Sequence, residues 1–300
     1  MIDISIIIVT YNSKDDIKNC IESIIKNTLE INYEIIVVDN SSTDGTTEIV
    51  NNIIDLNNNI KLIKSPNLGF NSANNRGIKI ANGEFIALLN PDTILLNDAF
   101  SIILKEMKND KNVGACGGAL FTKDLNLNMS LGSFPSLYDT LIRTTKIRKD
   151  KFYLPDLSKE KIEVDLPCGA DFVFRKELIN EVGYMDERYF LYFDETDFAL
   201  AIKNKGYKNY IFPKARIIHL QGTSTDKVSE FSRKVFLESN IKYLKKNVNK
   251  VEAILMTMVK IMEHYIKFTI IYMFRNKYIK KFNTYTSELN YYKTVLKNIL

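Results

Sequence analysis

Six short stretches of this chain carry residues that could do chemistry. LLNPDT, from Leu88 to Thr93, ends an apolar run in Asn90, Pro91 and Asp92. A run this apolar reads as a buried strand, so Asp92 falls at the carboxyl edge of a sheet, where open α/β folds bind ligands. A hard carboxylate oxygen there suits Mg2+ or Mn2+, an ion that offsets charge on a diphosphate while a bond to it breaks. Capping the next helix is the competing role, but that helix begins several residues later and has Asn97 and Asp98 of its own.

YFDETDFALAI supplies three more acids. On a helix from Asp194 to Lys205, Asp194 and Asp197 share one face and Glu195 points elsewhere. With Tyr189, Phe190, Tyr192 and Phe193 beside them they make a partly apolar acidic pocket, in which one carboxyl can hold a raised pKa and accept a proton. One of the three also complements the helix dipole. His219, one of two histidines in the chain, ends the apolar stretch RIIHL, with Gly222 and Ser224 just beyond. Ligand and purely structural roles are both open to it.

Three polar turns complete the set. TYN, Thr10 to Asn12, follows the first apolar run and offers backbone groups to a base or a sugar. VVDNSSTDGT places Asp39 at a second strand end, able to accept from a ribose hydroxyl or a base N–H, while Ser42, Thr43 and Asp44 are natural caps for the helix that follows. In NLGFNSANNRG, Gly69 can take a positive φ and the residues after it open a helix whose amides favour phosphate or sugar. No GxGxxG follows the first strand, which weighs against a dinucleotide oxidoreductase.

These residues need a scaffold, and the apolar periodicity describes one. Ile4–Val9, Glu34–Val38, Ile60–Ile63, Glu84–Leu89 and Val113–Cys116 read as strands. They alternate with helices at Ile17–Lys26, Thr46–Ile54, Ala73–Ala81 and Ala99–Lys108. Strand and helix in repetition imply an α/β fold with a mostly parallel sheet covered on both faces. Thr122–Asp165 is polar and reads as an acceptor-side segment. A short strand is expected near Tyr210–Phe212, separate from RIIHL.

The net charge of +5 hides a division. Residues 226–300 hold 15 Lys and Arg against 6 Asp and Glu, and residues 1–225 hold 26 against 30. The charge division separates a domain over 1–225 from a basic helical extension over 226–300. Within that extension, Val251–Phe274 is mostly apolar, but Lys260, Glu263, His264 and Lys267 fall on one stripe. No uncharged run reaches the roughly 18 residues of a spanning helix. With Arg275, Lys277, Lys280 and Lys281 flanking it, the segment fits an interfacial helix, or equally one packed on protein. Three scattered cysteines suggest a reduced, cytoplasmic setting with no catalytic thiol. The first twelve residues lack a basic region and a cleavage site, and read as a strand instead of a signal peptide.

Taken in order, IIVTYNS, EIIVVDNSSTDGT, NLGFNSANNRG, LLNPDT, CGADFVFRKEL, MDERYFLYFDETD and HLQGTS resemble the family 2 glycosyltransferases, inverting enzymes of the GT-A fold. The Asn-Pro-Asp form of the metal motif is similar to that of bacterial rhamnosyltransferases, which use dTDP-rhamnose. The resemblance implies that Thr10, Tyr11, Asn12, Asp39, Asn71, Asn75 and Asn90 hold the nucleotide-sugar, and that Asp92 binds the metal with His219 completing its shell. Within the domain over 1–225 it implies a nucleotide half at 1–118 and an acceptor half at 119–225, with Gly169, Ala170 and Asp197 toward a glycan or polyprenyl-linked acceptor. The family's base is usually the second residue of a Glu-Asp pair. Here the pair is reversed, so Glu195 is the base by position and Asp194 its competitor, and Ala201 stands where an Arg is often found. Peripheral attachment to the inner face of the membrane and a homodimer are open.

Other classes fit less well. A nucleotidyltransferase would want a Gly-rich phosphate loop with Lys or Arg after the first strand, and TYNSKDD lacks it. A nucleic-acid binder would want basic and aromatic residues on the folded part, which is acidic. A membrane-docked, non-catalytic nucleotide-sugar binder is the closest rival.

Overall fold

In the computed structural model, residues 1–145, 153–220, 230–272 and 279–300 are described. In chain order the elements are β1 (Ile4–Thr10), α1 (Ile17–Asn27), β2 (Tyr33–Asp39), α2 (Thr46–Ile54), β3 (Ile60–Lys64), α3 (Phe70–Ile80), β4 (Phe85–Leu89), β5 (Thr93–Leu95), α4 (Ala99–Asn109) and β6 (Val113–Phe121). Next come β7 (Leu131–Gly132), α5 (Leu137–Thr144), β8 (Ile162–Val164), β9 (Leu166–Pro167), β10 (Asp171–Arg175), α6 (Ile179–Val182), α7 (Asp194–Asn204), β11 (Lys208–His219), α8 (Glu230–Asn247), α9 (Lys250–Tyr272) and α10 (Ile279–Ile299). The chain divides into two compact units. One holds Met1–Ser133 and Lys151–Val228, and the other Phe134–Asp150 and Ser229–Leu300.

The first unit is built on one sheet of order β3-β2-β1-β4-β10-β6-β11-β5, with β8 pairing β11. Its first four strands in that order are parallel. Strands β1, β4 and β6 are buried along their whole length, as apolar runs must be when helices cover both faces. On one face, Ile4, Ile6 and Ile8 pack with Ile17, Cys20, Ile21 and Ile24 of α1 and Phe100, Ile103 and Leu104 of α4. Each such side chain contributes roughly 1.5–3 kcal/mol by leaving water. Elsewhere in the sheet unit, Phe172 and Phe174 of β10 meet Phe198 of α7, with ring centroids 6.2 and 5.1 Å apart.

The sheet gains β5 and β8, which the periodicity does not propose, and departs from the expected elements in two further places. Strand β10 runs antiparallel between β4 and β6, so the sheet is mixed at its centre. Tyr210–Phe212 and RIIHL are not separate but form the single strand β11, whose register on β6 slips between Phe212 and Arg216. Pro213 lies in that slip, where its missing N–H costs no ladder bond.

The second unit takes α5 from the middle of the chain and packs it with α8, α9 and α10. Leu244, Ala253, Met256, Val295 and Ile299 form its core. Its longest helix, α9, turns its charged stripe inward. Glu263 bonds Lys260 at 2.9 Å, Lys267, and the Thr144 hydroxyl at 3.0 Å. Burial would raise its carboxyl, but the two lysines overcome that and hold it at about 2. His264 is buried, with Nε2 3.0 Å from Glu288. Among the described residues no helix is long and apolar enough to cross a membrane. Gly222, Ser224, Arg275 and Lys277 lie outside the described residues, as do the side chains of Lys280 and Lys281.

Candidate active site

The site is built at the carboxyl ends of β1, β2 and β4. Thr10 is the last residue of β1 and sits directly opposite Asp39, the last of β2. Its buried hydroxyl donates to Asp39 Oδ1 at 3.0 Å, and Asp39 Oδ2 accepts from the Ser42 N–H at 3.0 Å. Asn12, at φ 53°, joins the two strand ends. Its N–H donates to Ser42 Oγ and its Oδ1 accepts from the Thr43 N–H, both at 2.9 Å. Tyr11 is exposed beside them. The cap of α2 falls on Gly45, at φ 99°, one residue beyond the Ser42–Asp44 run expected to supply it, while Asp44 Oδ1 accepts from the Thr46 N–H.

Asn71 and Asn75 are on α3, which begins at Phe70 and not at Ala73 as the periodicity suggested. Both are buried. Asn75 donates to the Met185 carbonyl at 2.8 Å and Glu187 Oε1 at 3.0 Å, and accepts from the Met185 N–H at 3.1 Å. Asn71 donates to the Asp186 carbonyl at 2.9 Å. Together they clasp the Met185–Glu187 segment, and a second clasp forms where the Phe70 N–H donates to the Phe190 carbonyl at 2.7 Å. Gly69 permits that approach. It has φ 107°, and a Cβ there would lie 2.9 Å from the Phe190 backbone.

Asp92 follows β4, and His219 ends β11. His219 Nε2 lies 3.4 Å from Asp92 Oδ1 and 3.5 Å from Asn90 Nδ2. Neighbouring ligands of an octahedral ion at about 2.1 Å sit about 3.0 Å apart, so the pair fits one divalent cation. Among the described residues no group of three or more acidic, His or Cys side chains is arranged to hold a metal ion by itself. An ion here would take its remaining ligands from phosphate oxygens and water, as Mg2+ commonly does. Asp16, ahead of α1, adds to the acidity: burial and then the charges of Asp92 and Asp15 raise its carboxyl.

The acidic motif opens α7. Tyr192 and Phe193 precede it, both left-handed at φ 68° and 62°, a conformation that costs roughly 1–2 kcal/mol per non-Gly residue. Asp194 is buried and Glu195 half-buried. Burial raises both carboxyls, and Asp194 more so because Glu195 is its neighbour. Both carboxyls are thus pushed above their ordinary range, and the contact between the two side chains raises Asp194 while lowering Glu195. Asp197 faces inward and accepts from the buried Tyr189 hydroxyl at 3.3 Å.

One turn joins the two halves of the site. In Cys168–Asp171 the Asp171 N–H donates to the Cys168 carbonyl at 3.2 Å. The Ala170 carbonyl accepts from the Asn90 N–H at 3.0 Å, which ties the turn to the Asp92 strand end. On its other side, a Cβ at Gly169 would meet Glu195 Cγ at 3.1 Å. Burial and, more weakly, the charges of Glu195, Asp171 and Asp92 push the Cys168 thiol up to about 12, which makes it a poor nucleophile.

Sequence reasoning passed over Asp171. It is buried between β4 and β6, its Oδ2 accepts from the Gly118 N–H at 2.7 Å, its Oδ1 has no hydrogen-bond partner among the described residues, and burial lifts its carboxyl to about 7. The signal was an acid directly after Gly169 and Ala170 in a run otherwise apolar.

The α/β sheet unit has the GT-A fold, with Asp92 and His219 3.4 Å apart at its carboxyl edge and Asp194 and Glu195 at the start of α7. Residues 5–183 match the family model described as glycosyl transferase family 2, more than half of the chain, and the chain belongs to that family. It is 33% identical over 125 residues to a chondroitin synthase of Pasteurella multocida (strain Pm70), and likewise to a hyaluronan synthase of Pasteurella multocida. Each match covers 42% of this chain and 12% of the synthase. The fold resembles that in the crystal structure of GalNAc-T7 with UDP, GalNAc and Mn2+, at a TM-score of 0.62 and 16% identity, over 80% of this chain and 48% of that one.

Proposed function

We propose that this chain is a metal-dependent inverting glycosyltransferase that moves a sugar from a nucleoside diphosphate donor to a glycan or lipid-linked glycan acceptor. The observation that carries this reading is the Cys168–Asp171 turn, which binds the Asp92 strand end through Asn90 on one side and packs Glu195 on the other. It brings a diphosphate-handling group and a proton acceptor to one short segment.

Asp92 and His219 would hold the divalent ion, whose charge would stabilise the departing diphosphate. Thr10 orients Asp39, and Asp39 with Tyr11 and Asn12 receives the nucleoside. Glu195, whose carboxyl is raised less than that of Asp194 beside it, accepts a proton from an acceptor hydroxyl. That oxygen attacks the anomeric carbon as the bond to the diphosphate oxygen breaks, which inverts the centre without a covalent intermediate. Gly169 keeps Glu195 in place, and Asn71 and Asn75 secure the Met185–Glu187 segment ahead of α7.

The donor is read as dTDP-L-rhamnose from the Asn-Pro-Asp form of the metal motif, whose Asn90 amide is turned toward His219. A UDP-sugar is the second reading, favoured by the UDP in the GalNAc-T7 complex. A thermal-shift panel of nucleotide-sugars with Mg2+ and Mn2+ tests both: stabilisation by dTDP-rhamnose alone supports the first, and stabilisation by UDP-sugars alone replaces it. Release of free nucleoside diphosphate in the presence of acceptor separates a transferase from a binder, and its absence with every donor would overturn catalysis.

A further inference from the structure

Helix α9 carries its charges on the wrong side for an ordinary surface helix. Lys260, Glu263, His264 and Lys267 are turned into the helical unit, where Glu263 and Glu288 engage them. The outward face is left without a charge. Leu255, Met258, Met262, Tyr265, Ile266 and Ile270 are each between 43% and 61% exposed, and at helical spacing they form a stripe wider than about 100°. A continuous apolar stripe of that kind marks a protein or membrane contact.

Charge decides between the two. The unit formed by Phe134–Asp150 and Ser229–Leu300 holds 18 Lys and Arg against 7 Asp and Glu, a net +11, while the sheet unit has 23 against 29, a net −6. A second copy seated on α9 would bring two units of +11 together. An anionic lipid surface instead accepts the apolar face and attracts the basic unit at once. It also needs no matching shape, which suits a face rich in methionine and β-branched residues. The inward stripe would keep such a helix lying on a bilayer instead of crossing it, since it could not shed those charges.

We infer that α9 docks its Leu255–Ile270 face into the headgroup region of an anionic bilayer, making this a peripheral membrane protein attached through its helical unit. This inference is independent of the transferase reading.

The test is sedimentation of the full chain with sucrose-loaded vesicles, either phosphatidylglycerol mixed with phosphatidylcholine or phosphatidylcholine alone. Nucleotide affinity and circular dichroism are measured alongside, and sedimentation velocity is run without lipid. Expected are pelleting with the anionic vesicles only, weakening at high salt, and a loss of about tenfold or more in the Met262→Glu, Ile266→Glu double variant, with nucleotide affinity unchanged. Three results would each overturn the inference: no pelleting with anionic vesicles, equal pelleting with neutral ones, or a self-associated species that the double variant dissociates, which would assign the face to a second copy. The comparison of the two vesicles with unaltered protein holds even if the double variant misfolds.

Discussion

Glu195 rests against Gly169 so closely that a methyl group on Gly169 would stand 3.1 Å from its Cγ and 3.2 Å from its Cδ. The residue before Ala170 thus sets where the proposed base can sit. Gly169→Ala is expected to displace the Glu195 carboxylate and to lower the transfer rate by about tenfold or more, with donor affinity kept. Steady-state kinetics beside a nucleotide titration checks this, and an unchanged rate would remove Gly169 from the positioning of the base.

The acidic pair should divide its roles. Glu195→Gln is expected to lower transfer by about 100- to 10,000-fold with donor binding nearly intact. Asp194→Asn keeps a donor facing Glu195 and should retain much more activity. Greater damage from the asparagine variant would move the base to Asp194.

Asp92→Ala should abolish the gain in nucleotide affinity that Mn2+ brings, and His219→Ala should weaken it. Calorimetry with and without Mn2+ measures both, and an Asp92→Ala variant that still gains affinity from Mn2+ would show that the carboxylate holds no metal.

Asp171 makes stability depend on pH. Its carboxyl titrates near 7 in the fold because it is buried, well above an exposed aspartate. The folded state therefore keeps a proton that the unfolded chain gives up. Stability should fall as pH rises from about 4 to about 7, by up to about 4 kcal/mol, and level off above. Asp171→Asn should flatten that slope in urea melts taken across the range.

Asn75 holds Met185 and Glu187 through three hydrogen bonds. Asn75→Ala leaves the Met185 backbone groups without partners and should cost about 2–4 kcal/mol in chemical denaturation. If stability is unchanged and nucleotide binding is lost, the side chain serves the ligand instead.

The parallel half of the sheet was legible because its strands are apolar runs separated by helices of clear period. Ile4–Val9 and Glu84–Leu89 were placed to within a residue or so of β1 and β4. The antiparallel insertion of β10 was not, since FVF carries no sign of direction or partner. β11 is not legible as one strand, because Pro213 and the register slip around it interrupt the apolar pattern between Phe212 and Arg216. At the site, Asp92 and His219 were each legible as acids and imidazoles at strand ends, and the structure brings them within 3.4 Å. The clasp made by Asn71 and Asn75 was hidden, because an asparagine in a polar run looks the same whether it bonds a ligand or a backbone 110 residues away. On α9 the polar stripe was seen correctly, but amphipathic pattern alone gave no means of telling that it faced inward.

Strand β10 also dictates an order of assembly. During synthesis, β4 must wait with one edge open until residues 90–170 have emerged, because its partner on that side begins at Asp171. A fragment ending at Val164 should therefore be cut readily in limited proteolysis around Phe85–Leu89, where the longer chain resists. The turn that packs Glu195 leads straight into this same strand, so closing the sheet and finishing the proposed catalytic centre are one event. No half-made chain should carry a half-working site.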